Sequence, residues 1–219
     1  MHHPVKFEAP YTTGVPIDAR DSNYSVIYQI VMGLVAATGG EDLTEPLIDS
    51  LHSLQAAIDR AQETYAPLWD RYAAHFAKQD VVYTMASGAS YGAAYSFAIC
   101  VLMEMQWINS QAIHANEFFH GPFEVVDREA AFICMIGLDE TRRIEERCRD
   151  FLLRFGDPDR IMVLDAARLD LTGLEAPFRA ALVPLILFDA LWDFAYMLAE
   201  RRDHVMLEGR RYMKKITDY

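Results

Sequence analysis

The chain has 219 residues, enough for one large domain with a sizeable core, and 52% of them are hydrophobic. This composition is typical of a globular protein and excludes an intrinsically disordered one. Acidic residues outnumber basic residues by 32 to 20, so the formal net charge is −12. Because contacts to phosphate backbones need clustered Lys and Arg, this charge argues against nucleic acid as a partner.

The cysteines favour a cytoplasmic protein. Cys100, Cys134 and Cys148 are dispersed and show no C-x-x-C spacing, which fits a reducing compartment better than a disulfide framework or a zinc ribbon. The first ten residues contain no apolar segment of the kind found in secretory signals.

An apolar run over 180–199 is the nearest approach to a membrane span. It contains Pro184, Asp189 and Asp193. A charge in the middle of a bilayer costs about 3 kcal/mol on insertion scales. We therefore predict that this run forms a buried helix and does not span a membrane.

In the first third of the chain, residues 1–21 are rich in Pro, Gly and Thr and predict an extended arm. Residues 23–37 are apolar on nearly every side, which predicts a helix buried against something large. After a Gly-rich break, Thr44 is the predicted N-cap of a long helical region that is kinked at Pro67 and reaches about residue 78.

Beyond residue 78, short apolar runs alternate with helical patterns. The runs at 80–88, 130–137 and 160–166 predict strands, and 91–108, 140–156 and 177–200 predict helices. Strands buried on both faces and alternating with helices indicate a mainly parallel sheet in an α/β fold, a three-layer α/β/α sandwich. We predict a helical connector over 1–78 followed by an α/β domain over 79–219.

The turn "SGAS" follows the first predicted strand and opens a helix. In open α/β sheets the ligand crevice lies at the carboxyl ends of the strands. The N–H groups of this turn could therefore hold an anion, with Ser87 and Ser90 as substrate contacts. Ordinary turn chemistry explains the same residues, so both interpretations remain open.

The stretch "HANEFFHGPFEVVD" at 114–127 raises the question of a metal site. His114, Glu117 and His120 follow at three-residue steps, whereas histidine pairs on zinc-binding helices lie at i and i+4. A Gly-Pro pair directly after His120 ends any helix. We predict no metal here, and a solvated turn remains the simpler alternative.

Glu104 lies between two methionines in "CVLMEMQWI", the most apolar part of its predicted helix. This carboxylate lies either on a solvent-exposed stripe or in a cleft. In a cleft, partial desolvation would make it a better proton acceptor from carbon. Position alone favours the solvent-exposed stripe.

The run from "VVYTMASG" to "FEVVD" (81–127) resembles the second sugar isomerase (SIS) domain of the Amadori deglycases. These include the fructoselysine-6-phosphate and 6-phosphofructose-aspartate enzymes, and the isomerase half of glucosamine-6-phosphate synthase is similar more distantly. Glu104 in "LMEM", His120 in "HGP" sixteen residues later and the ending "RRYMKKITDY" carry the resemblance together. The likeness extends from about Asn23 to Tyr219.

The resemblance implies the flavodoxin-like SIS fold, a homodimer and a sugar-phosphate substrate, with no cofactor. In this family the glutamate that matches Glu104 transfers a proton between C1 and C2 of an open-chain sugar phosphate. The histidine that matches His120 comes from the neighbouring subunit and assists ring opening. The C-terminal tail folds over the substrate, with Lys215 matching an active-site lysine that Arg211 and Tyr212 would support.

The function implied is a deglycase that converts a fructosamine 6-phosphate to glucose 6-phosphate and an amine or amino acid. An aldose–ketose or amino-sugar phosphate isomerase and a non-catalytic phosphosugar-sensing SIS module remain alternatives. Family members carry two SIS domains, and the first holds a Ser/Thr-rich phosphate loop. No such loop precedes residue 80. We therefore expect a fragment or a shortened relative, and the phosphate site stays open.

Overall fold

The computed structural model describes residues 18–207, 209–213 and 215–217, so most of the predicted arm lies outside the described residues. These residues form a four-stranded parallel sheet in the order β2-β1-β3-β4. The strands are β1 Val81–Ala86, β2 Asn109–His114, β3 Ala131–Ile136 and β4 Ile161–Asp165. The helices are α1 Asn23–Ala37, α2 Thr44–His52, α3 Leu54–Phe76, α4 Tyr91–Ser96, α5 Arg142–Phe155 and α6 Ala176–Arg201. Helix α4 continues as a π-helical segment over Phe97–Met105, and short 3₁₀ turns cover Ala19–Asp21, Gly88–Ser90, Phe118–His120, Pro122–Val125 and Ala166–Arg168.

The two faces of the sheet belong to two hydrophobic cores. Strand β3 is buried at every position, and its side chains alternate between the cores with a period of two. Ile133 and Met135 join the larger core with α3, α4 and α6, whereas Phe132 and Cys134 join the smaller core with α5. The predicted α/β fold with a parallel sheet between helices is confirmed.

Helix α6 is the central element of the larger core. Trp69 and Phe76 of α3 pack on Phe194 of α6, with ring centroids 5.8 and 5.6 Å apart. Among the described helices, α6 alone has the length and apolar composition of a membrane span, but 61% of that stretch is buried inside the protein. The prediction of a buried helix at 180–199 is confirmed. Helix α3 belongs to the predicted connector but shares this core with α6 of the predicted α/β domain. The proposed domain boundary at residue 78 therefore stays a prediction.

Three local predictions differ from the structure. Thr44 is the first helical residue and not the N-cap, and its N–H donates to Asp42 Oδ1 at 3.0 Å. The long helical region is divided at Ser53; Pro67 lies inside α3, and the kink there stays a prediction. The strand β2 was not predicted, because its sequence "NSQAIH" is polar and lies at an edge of the sheet.

Helix α1 has the predicted bounds but not the predicted burial. Judged on the described part of the chain, Ser25 alone of α1 is buried. Tyr28 holds the helix in place by donating its hydroxyl to the carbonyl of Ala181 at 2.6 Å. The exposed face carries Tyr24, Val26, Ile27, Ile30, Val31, Leu34 and Val35. The absence of charged residues indicates an apolar helix, but it does not indicate what packs against the helix. No other part of the described chain packs against this face.

An ion pair connects the end of β4 to the start of α5. Arg142 donates from Nη1 and Nη2 to the two carboxylate oxygens of Asp165, at 2.7 and 2.9 Å. Burial opposes the charge on Asp165, but hydrogen bonds from Arg142 and from the N–H of Ala167 outweigh it and hold the pKa of this carboxyl below its usual value.

We predict that Asp165→Asn lowers the free energy of unfolding by about 1–3 kcal/mol at pH 7. A carboxyl with a lowered pKa contributes stability above its unfolded pKa of about 4 and loses it as the pH falls through the folded value. The difference between wild type and variant should therefore shrink below about pH 4 in urea titrations. The control is Asp159→Asn, because its pair with Arg71, at 3.5 Å, is half exposed. A difference independent of pH would contradict this role.

Candidate active site

Glu104 lies in the π-helical segment, where the chain leaves α4 and turns toward β2. The wide turn is visible in two hydrogen bonds: the N–H of Gln106 donates to the carbonyl of Val101 at 2.9 Å, and that of Ile108 donates to the carbonyl of Leu102 at 2.8 Å. π-Helical turns are rare and frequently lie at functional sites. The turn places Glu104 at the protein surface, with its side chain 21% exposed.

Gln106 fixes this helix end to the rest of the protein. Its side chain is fully buried. Nε2 donates to the carbonyl of Ala195 at 2.6 Å and lies 3.0 Å from Sδ of Met206. Arg202 donates to the backbone carbonyl of Gln106 and, at 3.3 Å, to its Oε1. The end of α4 is thereby bonded to α6 and to the segment that follows it.

The C-terminal tail contacts the end of α4 through an ion pair. Arg210 Nη1 lies 2.8 Å from Glu104 Oε1, and the Arg210 side chain is only 10% exposed. A cleft of about 630 Å³ lies between the tail and the end of the π-helical segment. Its lining residues are Met103, Glu104, Trp107, Ile108, Asn109, Arg210, Arg211, Tyr212, Met213 and Ile216. The tail therefore contacts Glu104, and its folding over a substrate stays a prediction.

Trp107 forms one wall of the cleft in a strained conformation. Its φ is +55°, a left-handed value that costs a bulky residue about 1–3 kcal/mol. The guanidinium carbon of Arg211 lies 3.9 Å from the centre of its ring system. His204 packs edge-on against the same ring at 4.7 Å and donates from Nε2 to the carbonyl of Met105 at 2.6 Å. Both contacts hold the strained residue in place.

The structure brings several predicted residues together. Glu104, Arg211 and Tyr212 line the same cleft. Tyr212 is 66% exposed, so most of its side chain faces solvent. Lys215 is on the same tail, where its backbone N–H donates to the carbonyl of Tyr212 at 2.8 Å, but it does not line the cleft. Arg210, the partner of Glu104, was not predicted, because nothing in the local sequence distinguishes it from the arginine that follows it.

His120 lies far from Glu104 within one chain. It ends the 3₁₀ turn after β2, its side chain is 72% exposed, and its Nδ1 is 3.6 Å from Glu117 Oε2. Glu104 precedes β2, so the six residues of this strand separate the two groups. The ends of this strand are about 17 Å apart at about 3.3 Å per residue, and His120 is not among the residues that line the Glu104 cleft. One chain does not bring the carboxylate and the imidazole together.

The "SGAS" turn is bonded to the protein's own carboxylates. Ser87 donates from its backbone N–H and its hydroxyl to Glu145 Oε1, at 2.8 and 2.9 Å, and Ala89 N–H donates to Asp139 at 2.9 Å. Burial raises the pKa of Glu145, although these hydrogen bonds oppose the shift. Ser90 Oγ is buried without a partner among the described residues. Substrate contact by Ser87 and Ser90 stays a prediction, and the carboxylates weigh against an anion there.

The described ranges, 18–207, 209–213 and 215–217, contain no group of three His, Cys, Asp or Glu side chains placed to hold a metal ion. His114 instead packs edge-on against Tyr91, with ring centroids 4.9 Å apart. The chemistry available in the Glu104 cleft is that of a carboxylate, two guanidinium groups and aromatic surfaces.

The ion pair between Glu104 and Arg210 should hold the tail on the body of the protein. Glu104→Gln removes the charge and leaves the tail sequence unchanged. A charged hydrogen bond contributes about 1.5–3 kcal/mol, so we predict that trypsin cleaves the tail about tenfold faster in this variant. Asp70→Asn is the control, because its ion pair with Arg201 is at the surface. Equal cleavage rates in wild type and Glu104→Gln would contradict the tether.

Sequence comparisons place the chain beside the deglycases. No protein-family model matches it. It is 44% identical to fructosamine deglycase FrlB of Bacillus subtilis over 211 residues, which are 96% of this chain and 63% of that protein. It is 27% identical to the fructoselysine 6-phosphate deglycase of Escherichia coli, over 88% of this chain and 54% of that enzyme.

Comparison with solved structures also finds proteins of this kind. A proposed phosphosugar isomerase from Bacillus subtilis, 44% identical, superimposes with a TM-score of 0.88 over 94% of this chain and 62% of that one. The C-terminal domain of glucosamine-fructose-6-phosphate aminotransferase from Francisella tularensis, 19% identical, shares the fold with a TM-score of 0.62, over 83% of this chain and 52% of that one. The chain thus spans less than two thirds of the length of these proteins. The resemblance seen in the sequence is confirmed: this chain has the fold of the SIS phosphosugar isomerases and is a relative of the fructosamine and fructoselysine 6-phosphate deglycases.

Proposed function

We propose that this chain carries the proton-transfer site of a deglycase that converts a fructosamine 6-phosphate and water to glucose 6-phosphate and a free amine or amino acid. The observation that supports this most is the position of Glu104, whose partly buried carboxylate lines a cleft under the C-terminal tail. The relative that shares 44% of its residues with this chain is a fructosamine deglycase. No metal or redox cofactor takes part in the proposed reaction.

The proposed chemistry needs one carboxylate. After the sugar ring opens, the substrate has a C2 carbonyl and an amine on C1. Glu104 removes a proton from C1, which is acidified by the neighbouring carbonyl, and returns it at C2, while the amine nitrogen loses a proton and the C2 oxygen gains one. The product is an aldimine of glucose 6-phosphate. Water adds to C1 of the aldimine and the amine leaves.

Arg210 orients the carboxylate for this transfer. Its Nη1 contacts Oε1 of Glu104, and we assign proton transfer to the other oxygen, Oε2. Arg211 and Lys215 add positive charge on the tail of an otherwise acidic protein, and Tyr212 presents a hydroxyl near the mouth of the cleft. We therefore propose Arg211, Tyr212 and Lys215 as contacts of the sugar phosphate.

The site requires a second copy of the chain, because one chain keeps Glu104 and His120 apart. An exposed apolar stripe runs along α4 and the π-helical segment as far as Trp107. It consists of Tyr95, Ile99, Met103 and Trp107, between 37% and 52% exposed. A second copy packed on this stripe would cover it and bring His120 of the partner subunit to the cleft. There the imidazole, which can give and take a proton near neutral pH, would open the sugar ring.

We propose the cytoplasm as the location. Cys100, Cys134 and Cys148 are all free thiols in the structure, which fits a reducing compartment. A sugar 6-phosphate substrate fits the same compartment.

A sugar-phosphate isomerase is the second candidate, since the structural relative at 44% identity is a proposed phosphosugar isomerase. Proton transfer by Glu104 between C1 and C2 would equally convert a ketose phosphate to an aldose phosphate. The two candidates differ in whether an amine is released. A purely binding module does not need a carboxylate that transfers protons.

The full-length gene product should release glucose 6-phosphate from a fructosamine 6-phosphate in a coupled enzymatic assay. We predict that Glu104→Gln lowers turnover by about two or more decades, since the amide cannot accept the proton. The control is Glu63→Gln, an exposed position on α3, which should leave turnover unchanged. Faster turnover of fructose 6-phosphate would favour the isomerase. Wild-type turnover in Glu104→Gln would reject the role of this carboxylate.

Mixing two inactive variants tests the shared site. Glu104→Gln and His120→Gln should each be nearly inactive as purified homodimers. Random reassortment makes half of the dimers mixed, and each mixed dimer has one intact site, so about a quarter of the wild-type activity should return. Size-exclusion chromatography with light scattering checks that dimers form. No recovery despite subunit exchange would contradict a site built from two chains.

A further inference from the structure

A second cavity lies away from the Glu104 cleft and shares no lining residue with it. It has a volume of about 220 Å³ and lies between α1, α4 and α6. Its lining includes the aromatic residues Tyr24, Tyr28 and Phe188, together with Ser22 and Ser96. Its volume is below the range of about 300–1,000 Å³ that holds drug-sized ligands. Any occupant is therefore a small molecule.

Asp189 provides the carboxyl group in the lining of this cavity. It lies in the middle of α6, lines the cavity and is only 4% exposed. Its Oδ1 has no hydrogen-bond partner among the described residues. A buried polar atom without a partner costs about 1–3 kcal/mol. Burial also raises the pKa of the Asp189 carboxyl well above its usual value, because no charge offsets the desolvation. A ligand that donates a hydrogen bond would remove this cost.

The lining determines which donor fits. No Lys, Arg or His is among the residues that the structure describes around the cavity, so a positive charge must come from the ligand. Tyr28 already donates its hydroxyl to the carbonyl of Ala181. The aromatic rings offer surfaces that attract both cations and apolar groups. The described lining offers no positive charge that would hold an anionic ligand.

We propose that this cavity is a binding site for a small primary amine, whose ammonium group pairs with Asp189 and whose short apolar body lies between the rings of Tyr24, Tyr28 and Phe188. The ammonium stabilises the ionised carboxylate, which otherwise lacks a counter-charge. This site is independent of the proton transfer proposed for Glu104. It adds a second ligand class to the protein.

Benzylamine is a suitable probe, with benzyl alcohol as a neutral probe of the same shape. Binding is measured by titration with chemical shifts in two-dimensional NMR spectra of the full chain. Benzylamine should bind saturably, and benzyl alcohol about tenfold or more weakly, because it lacks the charge. Asp189→Asn keeps the shape of the side chain. It should weaken the binding of benzylamine by about tenfold or more and leave the affinity for benzyl alcohol unchanged.

Two further variants separate binding in this cavity from non-specific attraction and from a loss of folding. Glu200→Gln, exposed on the same helix, should leave benzylamine affinity unchanged, which distinguishes the site from general attraction to an acidic protein. Gly92 lines the cavity and an added Cβ there meets open space, so Gly92→Leu should fill the cavity and abolish binding even if Asp189→Asn does not fold. Absence of saturable binding to wild type, or benzylamine affinity unchanged in Asp189→Asn or in Gly92→Leu, would overturn the proposal.

Discussion

The buried amide of Gln106 is the constraint on which the candidate site depends. Its polar atoms are bonded to α6, to Arg202 and to the segment around Met206, at the point where the chain leaves α4. A buried amide with missing partners is costly, so these bonds fix the direction in which α4 ends. That direction sets the position of Glu104, the left-handed turn at Trp107 and the start of β2. The acidic side chain and the tail that contacts it are thus held by one network.

Most of the fold could be predicted from the sequence, since the cores are built from continuous apolar runs. The runs that became β1, β3 and β4 are flanked by polar turns and buried against helices, and their pattern indicates this directly. β2 escaped detection because most of its side chains are exposed or half-buried, so it lacks the apolar run that marks β1, β3 and β4. The predicted burial of α1 is not met within the described chain, because local periodicity does not show which surface covers a helix.

The site was only partly predictable. In the sequence alone, Glu104 could be a solvent-exposed charge or a carboxylate in a cleft. Only the resemblance to a family favoured the cleft. The structure supplied what no local pattern contains, namely the pairing of Arg210 with Glu104 across 106 residues of chain and the left-handed backbone of Trp107. It also showed that the donors of the "SGAS" turn are bonded to Glu145 and Asp139. Such long-range pairings depend on the tertiary fold and leave no spacing signal.

In the proposed reaction, Glu104 contacts the two sugar carbons between which the proton moves. The most direct measurement is a crystal structure of the Glu104→Gln variant soaked with a fructosamine 6-phosphate. We predict that the side-chain amide of residue 104 lies about 3–3.5 Å from C1 and C2 of the open-chain sugar, with His120 of the partner subunit near the C5 hydroxyl. Sugar bound in another cleft, with residue 104 facing solvent, would contradict the account.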